Sequence, residues 1–253
     1  MTTYFFHDTT VLLKRSLRHI LRSPDTIITT AVTPITMMLL FVYVFGGAID
    51  VGGGTYVTYL LPGILLITVA SGVAYTALRL FTDVSGGIFE RFQSMPITRS
   101  AVLWSHVLTS VVANLTSVVL VVLVAVAVGF RSGAGVLAWL AVLGIMVLFT
   151  LVLTWLAVIP GLTAKSVDGV SGFSYPLIFL PFISSAFVPT SGMPGPVRWF
   201  AEHQPVTSIV TTIRNLYAEQ PVGNDGWIAL AWCVGLLLVA YALAMRTYRS
   251  KIA

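Results

Sequence analysis

The sequence predicts an all-α integral membrane protein, and its composition and the spacing of its charges are the basis of that prediction. Of the 253 residues, 57% are hydrophobic and 9% are charged, whereas an ordinary soluble domain has about 25% charged residues. The mean hydropathy is +0.94. Uncharged runs of about 20 residues, the length of a helix that crosses the hydrocarbon core, recur along the chain. Membrane spans should therefore account for most of it.

Six uncharged segments are long enough, or nearly so, to cross the membrane as helices. They are residues 26–47, 56–78, 103–128, 136–158, 169–187 and 227–245. The run SVVLVVLVAVAV in the third segment is apolar on every face, whereas a strand of a membrane barrel would alternate polar and apolar residues. A helix also satisfies its own backbone hydrogen bonds in lipid. We therefore expect six transmembrane helices.

The fifth segment is the least regular of the six. Five prolines lie in it or close behind it, at Pro176, Pro181, Pro189, Pro194 and Pro196. Each proline removes a backbone donor and disfavours a straight helix, so we expect this span to be short or kinked. The kinks could shape a pathway, or neighbouring helices could absorb them without functional consequence.

The distribution of Lys and Arg predicts the orientation of the chain. If the amino terminus lies inside, Arg131, Arg198 and Arg214 fall outside, which leaves 11 of the 14 basic residues inside. An excess of basic residues marks the cytoplasmic side. Six spans with both termini in the cytoplasm satisfy this rule. The net charge of +5 reflects the same bias and requires no nucleic-acid partner.

The amino-terminal residues 1–25 predict a helix that lies in the inner membrane interface. Apolar residues there lie among four basic ones, Lys14, Arg15, Arg18 and Arg22. Such a helix directs its cations to the anionic headgroups of membrane lipids. It could serve as a simple anchor or take a direct part in regulation. No small-residue cleavage site follows a short apolar core, so we expect the first span to be retained.

Residues 81–95, between the second and third predicted spans, have the pattern of an amphipathic helix. Apolar residues recur at spacings of three and four, as Phe81, Val84, Ile88, Phe92 and Met95. Asp83, Glu90 and Arg91 lie off that stripe, and Pro96 ends the pattern. A cytoplasmic helix of this kind could cover the bundle from beneath. It could also dock into a groove on a cytoplasmic partner and transmit its motion.

Residues 193–218, between the fifth and sixth predicted spans, mix turn residues with apolar ones. Trp199 and Tyr217 are of the types that favour the membrane interface. We expect a pair of short external helices that dip into the outer leaflet rather than a loop without regular structure.

No catalytic, cofactor-binding or metal site is expected in this chain. The segment PGLTAKSVD resembles a phosphate loop, but Ala164 stands where the second glycine belongs and no strand leads into it. The chain has one cysteine, Cys233. Its four histidines show no ligand spacing, at His7, His19, His106 and His203. No nucleophile lies in a recognisable catalytic motif.

The segment between the second and third predicted spans resembles that of type-2 ABC exporter permeases, especially the daunorubicin-resistance branch. The matching residues are Asp83, Gly86, Gly87, Glu90, Arg91, Met95, Pro96 and Arg99, before a helix that begins near Trp104. The external stretch from Pro194 through Gln204, Pro205 and Arg214 resembles the re-entrant segment of that family. With the span count, the resemblance covers nearly the whole chain.

This resemblance implies that residues 1–253 form one transmembrane domain of an ABC transporter in the bacterial inner membrane. Residues 81–95 would be the coupling helix, which sits in a cleft of a cytoplasmic ABC ATPase. Its coupling residues would be Phe81, Asp83, Gly87, Glu90, Arg91, Phe92 and Met95. Two ATPase copies, which bind ATP and Mg, would serve two permeases, either identical or homologous. The permease itself would do no phosphate chemistry.

The same resemblance places the first, second and fifth spans near the interface of the permease pair. Aromatic and hydroxyl side chains there are the candidates for lining the translocation path: Thr33, Tyr43, Tyr59, Thr68, Ser71, Tyr75, Phe173, Tyr175, Phe179 and Phe182. No charged residue lies mid-span, which disfavours an ion-coupled carrier and favours a hydrophobic or amphiphilic cargo, such as a drug, lipid or lipophilic metabolite. Asn114 in the third span is expected to hydrogen-bond between helices.

Two other classes of function stay open at this point. An ATP-independent channel or facilitator would need a continuous polar face along a pore, and the predicted spans show none. An intramembrane enzyme or an envelope assembly protein is the other class, and the catalytic groups that the enzyme would need are missing. A neighbouring gene that encodes an ATPase with phosphate-loop and signature motifs would favour the exporter over both.

Overall fold

The structure is a computed structural model that describes residues 24–49, 55–87 and 99–252. Those residues form helices and short connections, with no strand among them. The α-helices are α1 (Pro24–Leu40), α2 (Tyr56–Ser85), α3 (Arg99–Val128), α4 (Val136–Thr163), α5 (Val167–Phe179), α6 (Gly195–His203), α7 (Pro205–Tyr217) and α8 (Gly223–Ile252). A π-helical turn, Phe41–Phe45, continues α1, and 3-10 turns occupy Leu180–Ile183 and Thr190–Gly192. The predicted all-α class is confirmed.

Four helices are long and apolar enough to cross a membrane. They are Tyr56–Ser85, Val102–Val128, Val136–Thr163 and Gly223–Lys251, at the second, third, fourth and sixth predicted spans. The first and fifth predicted spans correspond to shorter apolar helices, Thr30–Phe45 and Val167–Ile183. As its prolines predicted, α5 is short: Pro176 lies inside it and Pro181 in the 3-10 turn that follows. The chain is thus a multi-pass membrane protein.

Helix α2 is the centre of the bundle. It packs against α1, α3, α4 and α5, and every side chain from residue 60 to 70 is buried. In the apolar 18-residue stretch of α2 that is long enough to cross the membrane, 78% of the residues are buried. The corresponding stretches of the other three candidate spans are 22–33% buried. Those outer helices expose large apolar side chains, such as Leu123 and Leu238. Apolar side chains on the outside are what lipid contact requires.

Prolines open several of the helices. Pro24 and Pro205 begin α1 and α7, and Pro196 is the second residue of α6. Proline suits the first helical turn because its φ is already helical and its missing donor would have no partner there. Helix α5 begins differently: the Ser166 hydroxyl accepts a hydrogen bond from the Gly169 amide at 3.2 Å. The segment that resembled a phosphate loop is therefore the link that ends α4 and caps α5.

Helix α2 extends further toward the predicted cytoplasmic side than the charge pattern suggested. The predicted span ended at residue 78 because Arg79 is charged, but the helix continues to Ser85 and stops at Gly86 and Gly87, where Gly87 has a φ of 71°. A helix does not need to end where hydrocarbon ends, and no glycine or proline lies between Arg79 and Ser85 to stop this one earlier. Phe81 and Asp83 therefore lie on the end of α2 rather than at the start of a separate helix.

Two predicted elements fall largely outside the described residues. These are the interfacial helix, of which residues 1–23 are not described, and most of the amphipathic segment, namely residues 88–98. The two short helices that were predicted between the fifth and sixth spans are present as α6 and α7. Helix α7 packs against α2, α4 and α8, whereas most of α6 is exposed.

Candidate functional site

Arg214 of α7 lies at the end of the bundle that is predicted to be outside, and no carboxylate of the described residues pairs with it. Its Nε and Nη2 atoms donate to the Tyr59 carbonyl oxygen at 3.3 and 3.0 Å, and Nη2 also donates to the Ser185 carbonyl oxygen at 2.8 Å. The guanidinium carbon lies 3.7 Å from the centroid of the Tyr59 ring, within the range of a cation–π interaction. We call Arg214, Tyr59 and Ser185 the outer clamp.

Further hydrogen bonds fasten the α6–α7 pair to the same region. The Gln204 amide nitrogen donates to the Ile183 carbonyl oxygen, and the Thr207 hydroxyl accepts from the Ser185 amide at 3.4 Å. On α2, the Tyr56 hydroxyl donates to the Phe187 carbonyl oxygen at 3.1 Å. The backbone that follows α5 thus supplies acceptors to α2 and α7 alike, and the three helices are joined at their outer ends.

Helix α2 also packs very closely against the backbone that follows α5. A Cβ atom at Gly63 would lie 2.6 Å from the Ala186 Cβ and 3.5 Å from the Ala186 Cα. Real Cβ atoms essentially never come so close to another atom, so only glycine fits at this position. Ala186 itself is fully buried. The outer end of the bundle is closed by packing as well as by hydrogen bonds.

Arg198 on α6 shows the ordinary arrangement of a surface arginine and is the natural comparison for Arg214. Its Nε donates to Glu202 Oε1 at 2.8 Å, one helical turn away. That hydrogen bond, assisted by one from Thr190, lowers the pKa of the Glu202 carboxyl. Both side chains are exposed. Two arginines of neighbouring helices therefore have different surroundings, since Arg198 is solvated and paired with a carboxylate whereas Arg214 bonds to backbone carbonyls.

A hydroxyl cluster joins three helices in the interior. The Thr76 hydroxyl of α2 donates to the Ser110 hydroxyl of α3 at 2.9 Å, and Ser110 lies 3.2 Å from the Thr154 hydroxyl of α4. Asn114 was expected to bridge helices, but its amide nitrogen donates to the Ser110 carbonyl oxygen of its own helix at 2.9 Å. The bonds between helices come from Ser110 instead.

The predicted path residues are divided between the surface and the interior. Four are exposed on the first and fifth predicted spans: Thr33, Tyr43, Tyr175 and Phe179. Five are partly buried: Tyr59, Ser71, Tyr75, Phe173 and Phe182. Thr68 is fully buried and its hydroxyl donates to the Ile64 carbonyl oxygen at 2.8 Å. In this conformation, therefore, Thr68 faces the core of the chain.

The outer ends of the first and fifth predicted spans meet through aromatic rings. Phe182 stacks on Phe187 with ring centroids 4.8 Å apart, and Phe41 lies 5.0 Å from Phe187 and 6.4 Å from Phe182. Phe179 follows at 6.1 Å from Phe182. Two of the predicted path residues thus belong to one aromatic cluster, beside the exposed face of these two helices.

At the opposite end of the bundle a carboxyl–imidazole contact joins α2 to α3. Asp83 Oδ2 lies 3.2 Å from His106 Nε2. The pair stands next to the point where the chain leaves α2 and close to the start of α3, so it holds both helices at the base of the predicted coupling segment. Of the predicted coupling residues, Phe81, Asp83 and Gly87 lie in the described range. Glu90, Arg91, Phe92 and Met95 lie outside it.

Two largely apolar cavities, both open to the surface of the bundle, lie beside α7. One, of about 350 Å³, is lined by Trp199, Phe200, His203, Gln204 and Trp232, among others. The second, of about 430 Å³, lies among α4, α7 and α8 and includes Gly144, Thr212, Gly226 and Trp227 in its wall. Both volumes are in the range of small-molecule sites. No three His, Cys, Asp or Glu side chains of the described ranges come together to hold a metal ion.

The part of the chain that matches known proteins includes both the outer clamp and the amphipathic segment. The family model for ABC-2 type transporters matches residues 7–217. The chain is 29% identical over 232 residues to daunorubicin resistance ABC transporter permease protein DrrB1 of Streptomyces coeruleorubidus, covering 90% of this chain and 81% of the relative. It is 25% identical over 238 residues to a Mycobacterium tuberculosis protein named "Probable doxorubicin resistance ABC transporter permease protein DrrC". That match covers 93% of this chain and 86% of the relative. The chain belongs to the ABC-2 type transporter family.

Proposed function

We propose that the chain is the permease subunit of an ATP-driven exporter that moves a hydrophobic or amphiphilic cargo out of the cytoplasm or the inner leaflet. The family match over residues 7–217 carries this proposal. Relatives named for resistance to daunorubicin and doxorubicin favour a drug-like cargo. The apolar walls of the two cavities beside α7 suit the same class of molecule.

Energy for transport would come from a separate cytoplasmic ATPase. Membership of the family implies an ABC transporter with such a partner, and we propose two ATPase copies that bind ATP and Mg and serve two permeases. Residues 81–95 would dock on the ATPase as a coupling helix. The Asp83–His106 pair supports this role, because a segment that enters and leaves beside a cross-helix contact would move α2 and α3 together.

The topology proposed with this function has six spans and both termini in the cytoplasm. Eleven of the 14 basic residues then lie inside, because only Arg131, Arg198 and Arg214 fall outside. The two shorter apolar helices, Thr30–Phe45 and Val167–Ile183, would be the first and fifth spans. Their exposed polar and aromatic side chains, which include Tyr43 and Tyr175, would face the second permease and the path between the two. The whole chain would form one transmembrane domain.

Reversing the charge of Glu90 and truncating Phe92 tests the coupling segment. We expect the double variant Glu90→Lys, Phe92→Ala to insert at wild-type levels but to lose ATP-driven transport. The reason is that the changes remove an apolar anchor and reverse a charge on a helix that would dock on the ATPase. The measurement is export of a fluorescent lipophilic drug from cells or proteoliposomes that contain the permease with its ATPase.

A matched control reverses one charge and truncates one apolar side chain at residues far from this segment. Glu219→Lys with Leu137→Ala alters an exposed acid after α7 and an exposed leucine at the start of α4. This variant should keep transport within about a factor of two, since exposed substitutions away from structural features have small effects. Normal export by the Glu90, Phe92 variant would refute the proposed coupling role.

A further inference from the structure

A small polar cavity lies between α1, α2 and α3. Its volume is about 10 Å³, close to the least space that one water molecule needs. Its wall includes Thr30 of α1, Gly72, Tyr75 and Arg79 of α2, and Asn114 and Ser117 of α3. A cavity this small excludes cargo and lipid, yet most of these side chains carry a polar atom.

Two buried polar atoms of that wall have no hydrogen-bond partner within the described part of the protein. They are the acceptor Asn114 Oδ1 and the donor Arg79 Nε. Asn114 is 1% exposed, and its amide nitrogen is committed to the carbonyl and hydroxyl oxygens of Ser110 at 2.9 and 3.2 Å. That commitment fixes the amide, so Oδ1 cannot turn to Ser110 for a partner. Buried polar groups without partners are rare, because each loses its hydration without compensation.

Gly72 makes room for the Asn114 amide oxygen. A Cβ at Gly72 would collide with Asn114 Oδ1, so a larger residue would push the amide away. The glycine therefore allows a polar side chain of α3 to lie against the backbone of α2, at the wall of the cavity that Arg79 also lines.

We propose that one water molecule is bound in this cavity, where it accepts a hydrogen bond from Arg79 Nε–H and donates one to Asn114 Oδ1. A donor, an acceptor and the volume of one water are the three conditions for such a site, and all three are met. The site follows from packing and hydrogen bonding alone, so it depends on neither the cargo nor the ATPase.

The proposed water connects two groups of polar side chains at one end of the bundle. Asp83 follows Arg79 by one turn of α2 and pairs with His106 at the base of the proposed coupling segment. Beyond the water, Asn114 bonds to Ser110, whose hydroxyl meets those of Thr76 and Thr154. The charged end of the bundle is thereby joined to the hydroxyl cluster of α2, α3 and α4.

A double-mutant cycle on the purified full-length chain tests the link between the two residues. We expect Arg79→Met and Asn114→Leu together to lower the melting temperature by less than the sum of their separate effects. The reason is that either change alone removes one bond to the water and leaves the other residue's buried polar atom without a well-bound partner. The control cycle combines Arg79→Met with Thr68→Val, since the Thr68 hydroxyl bonds to its own helix and does not line the cavity. Additive effects in the test cycle would overturn the proposal.

Radiolytic footprinting distinguishes a bound water from a direct contact. Hydroxyl radicals formed from a bound water modify the side chains beside it, so Tyr75 should be labelled in the wild type and several-fold less in Asn114→Leu. Tyr56 is the reference, because it is buried and its hydroxyl is bonded to the Phe187 carbonyl oxygen, away from the cavity. Unchanged Tyr75 labelling in Asn114→Leu would reject the water, even if the double-mutant cycle showed coupling.

Discussion

Replacing Arg214 by leucine should destabilise the folded chain by about 3 kcal/mol, since a hydrogen bond to a charged group contributes about 1.5 to 3 kcal/mol and Arg214 makes several. Its guanidinium joins α2 to the backbone after α5 through the carbonyl oxygens of Tyr59 and Ser185. Leucine would fill part of the volume but leave the Ser185 oxygen without this donor. The contact with the Tyr59 ring would also be lost.

Thermal unfolding in mild detergent measures this effect. Two further variants separate the contribution of the charge from that of the hydrogen-bond geometry and the burial. Arg214→Lys keeps the charge but lacks the planar fork of donors, so it should fall between wild type and leucine. Arg198→Leu removes the exposed, carboxylate-paired arginine of α6 and should leave the melting temperature unchanged within error. If Arg214→Leu and Arg198→Leu were equally harmless, the outer clamp would not stabilise the fold.

Replacing Gly63 by valine is expected to cost about 2 to 3 kcal/mol, the upper part of the range for an overpacked core. The new side chain would collide with Ala186, whose Cβ and Cα lie 2.6 and 3.5 Å from the position of a Cβ at residue 63. Because Ala186 is next to Ser185 of the clamp, a shift of this backbone should also weaken the Arg214 contacts. The expected result is a large loss of melting temperature.

The matched control is Gly235→Val in α8. No atom lies within 4 Å of a Cβ built at Gly235, so this variant inserts the same side chain into a membrane helix without a clash. It should stay close to wild type when both are measured by thermal unfolding in the same detergent. Equal stability of the Gly63 and Gly235 variants would contradict the close packing of α2 on the backbone after α5.

The four long membrane helices could be predicted from sequence because charges are expensive in hydrocarbon, so that gaps between charges mark spans. The ends of these helices could not be predicted in the same way. Arg79 marked the end of the second span, yet the helix continues to Ser85, since backbone hydrogen bonding rather than hydrophobicity decides where a helix stops. The short α5 could be anticipated from its prolines, because their effect on the backbone is local.

The site residues show where sequence reasoning lacked information. Arg214 and Arg198 look alike in the sequence, as two basic residues of one external segment. One signal was available: Val210 and Tyr217 belong to the buried face of α7, and Arg214 lies four residues after the first and three before the second. Its partners are carbonyl oxygens of distant segments, which no local pattern reveals.

The role of His106 is hidden in the sequence for a similar reason. Among the scattered histidines it had no ligand spacing, and its pairing with Asp83 depends on how α2 and α3 lie side by side. The register between two helices is a property of the packed bundle. The charge complementarity of the two residues was visible in the sequence, but their proximity was not.

Co-purification of the tagged chain in mild detergent, followed by an ATPase assay, tests the central claim most directly. We predict that a cytoplasmic ABC ATPase co-purifies in stoichiometric amount and that Glu90→Lys with Phe92→Ala releases it. Purification of the wild-type chain alone, without ATPase activity in any mild detergent, would contradict its assignment as the permease subunit of an ATP-driven exporter.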